Sequence, residues 1–253
     1  MKIVAMIPAR MGSSRFPGKP LAPILGRSMI EHVTRRTAMS KSLCGVYVAT
    51  CDQEIADAVA GFGGTAIMTS DRHERASDRI AEAMAQVEAD IVVMVQGDEP
   101  MVHPDMIDEA VAPMLADPSI RCVNLTAPIE TEEEFLSPNS IKVVMDLNGD
   151  ALYMSREPIP TRFKNDFARM PVFKQVCIMP FRREALTLFT RLSPTPLEIT
   201  ESIDMNRFLE HGVKVRMVPT RHASQAVDTP EDLERVARLM ADDPLASLSG
   251  PKT

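Results

Sequence analysis

A loop near the start of the chain gathers fixed positive charge around small and rigid residues. The segment PARMGSSRFPGKPL, residues 8–21, contains Arg10, Arg15 and Lys19 together with glycine, serine and proline residues. Backbone N–H groups of a glycine-containing turn, combined with arginine and lysine side chains, can bind a polyphosphate. The alternative interpretation is a basic turn that is only solvated.

This loop is not a P-loop. Five residues rather than four separate Gly12 from Gly18, and Pro20 stands where a P-loop has its magnesium-binding Ser or Thr. The sequence also lacks a GxGxxG segment. The loop therefore predicts a polyphosphate site of a different kind.

Two acidic residues are candidates for binding a hard cation. Asp98, in the segment QGDEP, follows a strongly apolar stretch, and Asp228 lies just before a Thr-Pro pair. Magnesium favours one or two carboxylates, with water and substrate phosphate oxygens completing its coordination. Two alternatives remain open: Asp98 caps a turn through its own side chain, and Asp228 is an ordinary helix-capping acid.

The elements that must position these groups alternate along the first half of the chain. Near-continuous apolar stretches predict strands at 2–8, 46–50, 65–69 and 91–96, and the segments between and after them predict helices at 28–39, 53–60, 78–87 and 105–115. This alternation predicts an α/β fold with a doubly wound, mostly parallel mixed sheet. Ligands bind such sheets at the carboxyl ends of the strands, where the basic loop and QGDEP arrive.

The second half has a different pattern. RCVNLTAPI, IKVVMD, ALYMS and KQVCIMPF, with Asn148-Gly149 as a turn, predict an additional smaller antiparallel or mixed sheet region at about 120–190. A capping box at Thr195 and Glu198 predicts a helix over 196–211, and VDTPED predicts the start of a last helix that ends near Met240. We expect one domain over 1–240, with 120–190 as a mixed-strand subregion, and a flexible tail at 241–253.

Composition excludes several classes of partner. The net charge of −7 and the pI of about 5.3 argue against binding to nucleic acids or anionic membranes, because both depend on a basic surface. The four cysteines form no CxxC pair, and the five histidines form no HxH or HxxxH pattern, so neither residue type predicts a metal site. With no apolar segment near the ~18 residues of a membrane span, the sequence predicts a soluble cytoplasmic protein.

Five motifs, taken in order, make the chain similar to the 3-deoxy-manno-octulosonate cytidylyltransferase family, also called CMP-Kdo synthetases. The motifs are PARMGSSRFPGKPL, MVQGDEPMV, NSIKVVMD, ALYMSREPIP and VDTPEDLERV. The resemblance runs from about Lys2 to Met240. It implies a nucleotide-diphospho-sugar transferase-like fold and a homodimer, with 120–190 as a sugar-binding or dimerisation subregion. It also implies a Mg²⁺-dependent reaction of CTP with a 2-keto-3-deoxy sugar acid that gives a CMP-sugar and pyrophosphate.

The resemblance also implies roles for individual residues. Lys19, Asp98 and Arg10 are the expected catalytic residues, and Asp98 with Asp228 are the expected metal ligands. Phosphates, ribose and base of CTP are expected to contact Arg10, Ser13, Arg15, Lys19, Ser77, Arg79, Gln96 and Asp98.

The chain departs from the family where the sugar acid is bound. The family's His-x-Gly-Ile-Tyr-x-Tyr-Arg is replaced by residues 175–182, QVCIMPFR, and its Glu-Gln pair by Asp204-Met205. Lost hydrogen-bonding groups alter substrate discrimination. These changes lead to the hypothesis that the acceptor is an amino-substituted or longer-chain relative of Kdo. Kdo itself remains an alternative acceptor if water molecules replace the lost contacts.

Five residues are candidates for contacting the sugar acid: Arg156, Gln175, Arg182, Glu201 and Asp204. Arginine binds carboxylates with two parallel hydrogen bonds, although Arg182 could equally be a surface charge at a strand edge. Glu201, Asp204 and Arg207 could also form ordinary surface pairs. Two other functions compete: a nucleotidyltransferase for a sugar 1-phosphate, and a catalytically silent nucleotide-binding subunit.

Overall fold

The chain divides into two compact units. The computed structural model describes residues 1–12, 15–163, 166–223 and 225–248. Unit 1 comprises Met1–Asp108 and His222–Thr253, and unit 2 comprises Glu109–Arg221. All the predicted nucleotide and metal residues belong to unit 1, and all the predicted sugar residues belong to unit 2.

Unit 1 is built on a parallel sheet, as the apolar stretches predict. Its strands are β1 (Ile3–Ala9), β2 (Pro23–Ile24), β3 (Arg27–Ser28), β4 (Gly45–Thr50), β5 (Ala66–Met68) and β6 (Ile91–Val95). Strands β6, β1, β4 and β5 lie side by side in that order and run parallel, while β2 and β3 form a short hairpin. Every residue of β1 and β6 is buried, which accounts for their continuous apolar character.

Helices follow the strands of unit 1. They are α1 (Met29–Thr37), α2 (Gln53–Gly61), α3 (Ala76–Met84) and α4 (Pro104–Ala116), the last of which carries the boundary with unit 2. The expected helices at 28–39, 53–60 and 105–115 are confirmed. The helix expected at 78–87 instead begins at Ala76 and ends at Met84.

Unit 2 contains the mixed sheet expected from the second half of the sequence. Its strands are β7 (Val123–Pro128), β8 (Lys142–Met145), β9 (Ala151–Ser155), β10 (Phe173–Val176), β11 (Ile178–Arg182) and β12 (Arg216–Pro219). The order β12-β7-β10-β8-β9 combines one parallel pair, β12 with β7, and three antiparallel pairs. The stretch KQVCIMPF is two strands rather than one, because the chain leaves the ladder at Cys177.

The helices of unit 2 correct one expectation. They are α5 (Glu132–Leu136), α6 (Arg183–Arg191), α7 (Pro196–Glu201) and α8 (Met205–Glu210). The expected single helix over 196–211 is wrong, because Ser202 adopts a left-handed conformation with φ 54° and ends α7. The capping box at Thr195 and Glu198 is confirmed, and α8 ends before Gly212, whose φ is 72°.

The chain returns to unit 1 for its last two helices, α9 (Pro230–Ala241) and α10 (Pro244–Leu248). The N-cap of α9 is Thr229, which forms a capping box with Asp232. The first part of the expected tail is therefore helical, and Asp243, between the two helices, accepts a hydrogen bond from the buried side chain of Arg36. Among the described residues, no helix combines the length and apolar character needed to cross a membrane.

Candidate active site

Lys19 brings the two predicted metal-binding acids together in unit 1. Its Nζ donates to Oδ2 of Asp98 at 2.7 Å and to the carbonyl of Val227 at 2.9 Å, and it lies 3.6 Å from Oδ1 of Asp228. Only 14% of the Lys19 side chain is exposed. The interpretation of this loop as a merely solvated basic turn is therefore wrong for Lys19, and two carboxylates converge on one cation.

Arg15 adds a second positive charge beside Asp228. Its Nη2 lies 2.9 Å from Oδ1 of that aspartate, and about half of the Arg15 side chain is exposed. Since the capping box of α9 uses Thr229 and Asp232, the carboxylate of Asp228 is directed to these cations rather than to the helix. Arg10 directly follows β1 and is exposed, and Ser13 lies outside the described residues.

Backbone geometry holds the basic loop in place. Gly18 has a φ of 74° and precedes the short 3₁₀ turn Lys19–Leu21, so a side chain at this position would be strained. The N–H of Gly18 donates to the carbonyl of Met11 at 3.1 Å, which closes the loop. Lys19 is thus presented by a turn that glycine makes possible.

Gly97 brings the QGDEP segment against the end of β1. A Cβ atom at this position would lie 2.7 Å from the carbonyl oxygen of Pro8, closer than non-bonded atoms can approach. The same segment is tied to the chain before α9 by a hydrogen bond from the N–H of Val227 to the carbonyl of Asp98, at 2.9 Å. These backbone contacts fix Asp98 and Asp228 at the carboxyl edge of the parallel sheet, as expected for such folds.

Asp52 is a supporting residue that is not among the site residues predicted from the sequence. It occupies the N-cap position of α2, but its Oδ2 accepts the N–H of Met11 at 2.7 Å and its side chain makes no capping bond. The position of Asp52 could have indicated this role. Asp52 follows the end of β4, and β4 pairs in parallel with β1 and ends beside the end of β1, where the basic loop begins. Asp52 thereby anchors the start of the basic loop.

Ser77 and Arg79 lie in the first turns of α3 and are buried. Arg79 donates from Nη1 to the hydroxyl of Thr69 at 2.7 Å and from Nη2 to the carbonyl of His73 at 3.3 Å. Arg79 therefore holds the segment after β5, which reaches the same edge of the sheet. Gln96 follows β6 at this edge and is partly exposed.

Comparison with known proteins identifies the family. The family model described as "Cytidylyltransferase" matches residues 4–215. The chain is 48% identical over 250 residues to the 3-deoxy-manno-octulosonate cytidylyltransferase of Geobacter metallireducens, covering 95% of this chain and 98% of the relative. This chain belongs to the cytidylyltransferase family. A second relative of the same name, from Geobacter sulfurreducens, is 48% identical over 245 residues, covering 93% of this chain and 98% of the relative.

A solved structure agrees with this assignment. The structure of CMP:2-keto-3-deoxy-manno-octonic acid synthetase complexed with CTP is 40% identical to this cytidylyltransferase, with a TM-score of 0.89. The match covers 95% of this chain and 99% of the solved one. The α/β class with mixed sheets, predicted from the sequence, is confirmed.

Glu201, a sugar-site candidate of this cytidylyltransferase in unit 2, accepts hydrogen bonds from three neighbouring groups. Its carboxylate accepts hydrogen bonds from the hydroxyl of Tyr153 at 2.6 Å, the hydroxyl of Ser155 at 2.8 Å and the N–H of Arg156 at 2.8 Å. Burial alone would raise the pKa of the Glu201 carboxyl, but these donors bring that pKa below its ordinary value. Glu201 is therefore not an ordinary surface-pair residue.

The two arginine candidates of unit 2 donate to backbone carbonyls. Arg156 donates from Nε to the carbonyl of Glu201 at 2.7 Å and from Nη1 to that of Pro138 at 2.9 Å. Arg182 is buried, so it is not a surface charge, and its Nη2 donates to the carbonyl of Met114 at 2.6 Å. These contacts give Arg182 a role inside the fold of unit 2.

Gln175, which replaces the family's histidine, has a partner within unit 2. Its amide nitrogen donates to Oδ1 of Asn124, and Asn124 is fully buried. Asp204 is partly exposed and directly precedes α8. Arg207, three residues later, does not form a surface pair, because its side chain is buried and pairs with Glu198.

The residues of unit 1 fit a divalent cation. Asp98 and Asp228 supply the hard oxygen ligands that magnesium prefers, and both carboxylates already face one positive group, the ammonium of Lys19. A donor set of two carboxylates at the sheet edge matches a metal that also takes oxygen atoms from a substrate phosphate.

Proposed function

We propose that this cytidylyltransferase uses CTP to activate 3-deoxy-manno-octulosonate (Kdo). The anomeric hydroxyl oxygen of the sugar acid forms a bond to the α-phosphorus of CTP as the bond between that phosphorus and the α,β-bridging oxygen breaks. The products are CMP-Kdo and pyrophosphate, and the hydroxyl proton is released. No covalent intermediate with the protein is required.

The convergence of Lys19, Asp98 and Asp228 is the observation that carries the proposal. CTP bears about four negative charges at neutral pH, and a protein of net charge −7 must concentrate cations locally to hold it. Lys19 and Arg15 supply this positive charge. They lie beside Asp98 and Asp228, the two acids that the motif resemblance implies are metal ligands. The relatives' names and the CTP complex of the similar structure support the choice of substrates.

The positive side chains act on the charge that develops as pyrophosphate leaves. Lys19, Arg15 and Arg10 would bind phosphate oxygens, and negative charge grows on the bridging oxygen during bond cleavage. Groups that bind this charge more tightly in the transition state than in the ground state accelerate the reaction. Lys19 is suited to this role because the carbonyl of Val227 and the two carboxylates orient its ammonium.

Magnesium is part of the proposal, with Asp98 and Asp228 as its ligands. When bound, it would polarise the α-phosphate and help to orient the attacking hydroxyl. Asp98 and Asp228 would hold it, while the hydrogen bond from Val227 to the backbone of Asp98 keeps the two acids together.

Kdo is the proposed acceptor because two curated relatives that are 48% identical to this chain bear its name. The replacements at residues 175–181 and 204–205 motivate a comparison with related acids, but Gln175 and the retained Arg182 have partners inside the fold. A change of acceptor is therefore an outcome for the test rather than a second proposal.

The test is release of pyrophosphate from purified protein with Mg²⁺. CTP and the other nucleoside triphosphates are assayed one at a time. Each is tested with four acceptors: Kdo, an amino-substituted ulosonic acid, a longer-chain ulosonic acid, and a sugar 1-phosphate. Release that requires CTP and is fastest with Kdo is the expected result. Faster release with another acid would change the acceptor, release with the sugar 1-phosphate would favour that other transferase, and no release with any acceptor would favour a silent subunit.

The variant Asp98→Asn tests the metal assignment in the same assay. It removes a proposed ligand while keeping the side-chain shape, so turnover should be abolished and the folded signal in circular dichroism retained. Asp57→Asn, at an exposed position of α2, is the matched control and should leave turnover unchanged. Full activity of Asp98→Asn would refute the assignment.

A homodimer and a cytoplasmic location complete the proposal. The dimer rests on the family resemblance, and light scattering of the purified protein would test it. Four cysteines of the described chain are free thiols, which suits a reducing compartment.

A further inference from the structure

Unit 1 places two histidines and an aspartate side by side outside the candidate active site. The rings of His103 and His222 are stacked, with centroids 4.0 Å apart and planes inclined by 10°. Oδ2 of Asp105 lies 3.7 Å from Nδ1 of His103 and 4.0 Å from Nε2 of His222. The three side-chain atoms all lie within 4.8 Å of one another, although the sequence shows no histidine spacing that predicts it.

We propose that His103, Asp105 and His222 bind a first-row divalent transition-metal ion such as Zn²⁺. Imidazole nitrogen is a preferred ligand of these ions, whereas magnesium prefers oxygen. Two histidines, one carboxylate and a water molecule form a familiar four-coordinate zinc set. This site is separate in its ligands from the acids beside Lys19.

The spacing requires only side-chain movement. Zinc bonds of about 2.0–2.1 Å at tetrahedral angles place ligand atoms about 3.4 Å apart, somewhat closer than the distances at Asp105. Because 57% of the Asp105 side chain is exposed, it can turn inwards. One imidazole must also rotate about its Cβ–Cγ bond, since a bound ion lies in the plane of each ring.

The hydrogen bonding of His103 keeps its Nδ1 unprotonated. The N–H of Asp105 donates to Nδ1 of His103 at 3.2 Å, so Nδ1 carries a lone pair, and a bound ion would replace this hydrogen bond. The side chains of His103 and His222 are 31% and 29% exposed. An ion can therefore reach both histidines from solvent, although most of the surface of each side chain is buried.

The ion would join the two segments that carry the candidate metal-binding acids of the active site. His103 ends the segment that begins with Gln96 and includes Asp98, and His222 begins the segment that leads to Asp228. A backbone hydrogen bond from the N–H of Val227 to the carbonyl of Asp98 already joins these segments. A metal ion bound by both histidines would be a second link between the two segments and would stabilise their arrangement.

The test measures Zn²⁺ binding to the untagged full chain, without substrate, by competition with a chromophoric chelator. We expect one high-affinity Zn²⁺ per chain that millimolar Mg²⁺ does not displace. His103→Gln and His222→Gln should each weaken this binding at least tenfold, and Asp105→Asn should weaken it to a smaller extent. His211→Gln, which changes a histidine of unit 2, is the matched control and should bind as the wild type does.

Co²⁺ provides a second readout that does not depend on affinity alone. Tetrahedral coordination with nitrogen ligands gives visible absorption bands, which should be present in the wild type and absent from the His103→Gln/His222→Gln variant. Absence of stoichiometric binding to the wild type, or equal binding to the double variant, would overturn the proposal. In the latter case the free cysteines would be the source. Because no turnover is measured, failure here leaves the proposed reaction untouched.

Discussion

Glu198 and Arg207 form a bidentate ion pair inside unit 2. Nη2 of Arg207 lies 2.6 Å from Oε1 of Glu198, and Nε lies 2.8 Å from Oε2. The two side chains are 1% and 4% exposed, and the guanidinium also lies over the ring of Phe189 at 4.1 Å. Glu198 caps α7, and Arg207 belongs to α8, so the pair joins the two helices that Ser202 separates.

Breaking this pair from one side should destabilise the protein strongly. Glu198→Gln leaves the buried guanidinium without its counter-charge, which costs about 3–5 kcal/mol. Urea unfolding would measure this cost. Glu132→Gln is the control, because the pair of Glu132 with Arg162 is about half exposed and should contribute less than about 1 kcal/mol. Equal effects of the two substitutions would contradict the interpretation.

Removing the ammonium of Lys19 should affect the chemical step more than the fold. Lys19→Ala takes away a group that we propose binds the departing pyrophosphate, and the loss of one such group lowers kcat by about 10²–10³-fold. Steady-state kinetics of pyrophosphate release would measure it. Lys2→Ala, at an exposed lysine paired with Glu88, should retain full kcat. A kcat near that of the wild type in Lys19→Ala would exclude Lys19 from catalysis.

Asp228→Asn should change the requirement for magnesium. Replacing one of two proposed carboxylate ligands weakens metal binding, so the Mg²⁺ concentration for half-maximal rate should rise at least about tenfold. Titration of the rate with Mg²⁺ at saturating CTP gives this value. Glu231→Gln, an exposed acid in the first turn of α9, should leave the titration unchanged. An unchanged titration in Asp228→Asn would remove this residue from the metal site.

Local sequence signals were sufficient where a single feature decides the structure. The apolar stretches correctly predicted β1, β4 and β6, and the capping box correctly placed the start of α7. The same kind of signal could have revealed α5, since Thr131 and Glu134 have capping-box spacing and the hydroxyl of Thr131 accepts the N–H of Glu134.

Tertiary contacts explain what the sequence did not predict. Ser202 ends α7 in a left-handed conformation that glycine or asparagine usually adopts, so no residue signal marked the break. The neighbouring positions of His103 and His222 depend on how two distant segments meet. Motif order predicted the acids near Lys19, but only the fold shows that Asp52 supports the basic loop and that Arg182 is buried.

Gly97→Ala should disturb the approach of the QGDEP segment to β1. The added Cβ would lie 2.7 Å from the carbonyl of Pro8, and this backbone atom cannot move aside cheaply, so we expect a loss of about 1–3 kcal/mol in unfolding free energy. Activity should fall as well, because Asp98 is the next residue. Gly61→Ala is the control, since a Cβ there meets nothing within 4 Å; its stability should be equal or slightly higher. Comparable losses in both variants would contradict the close-approach argument.

The hydrogen bonds to Glu201 should make part of the stability depend on pH. The pKa of its carboxyl is below the ordinary value in the folded chain, because the donors from Arg156, Tyr153 and Ser155 outweigh the effect of burial. A depressed folded-state pKa contributes stability that is fully present above the unfolded pKa, about 4.3, and is lost as the pH falls through the folded pKa. The difference in unfolding free energy between the wild type and Glu201→Gln should therefore be constant from pH 7 to about pH 5.5 and shrink at lower pH. Tyr153→Phe removes one donor and should show a smaller difference with the same trend. A difference for Glu201→Gln that stays constant down to pH 3 would show that these hydrogen bonds do not favour the ionised carboxylate.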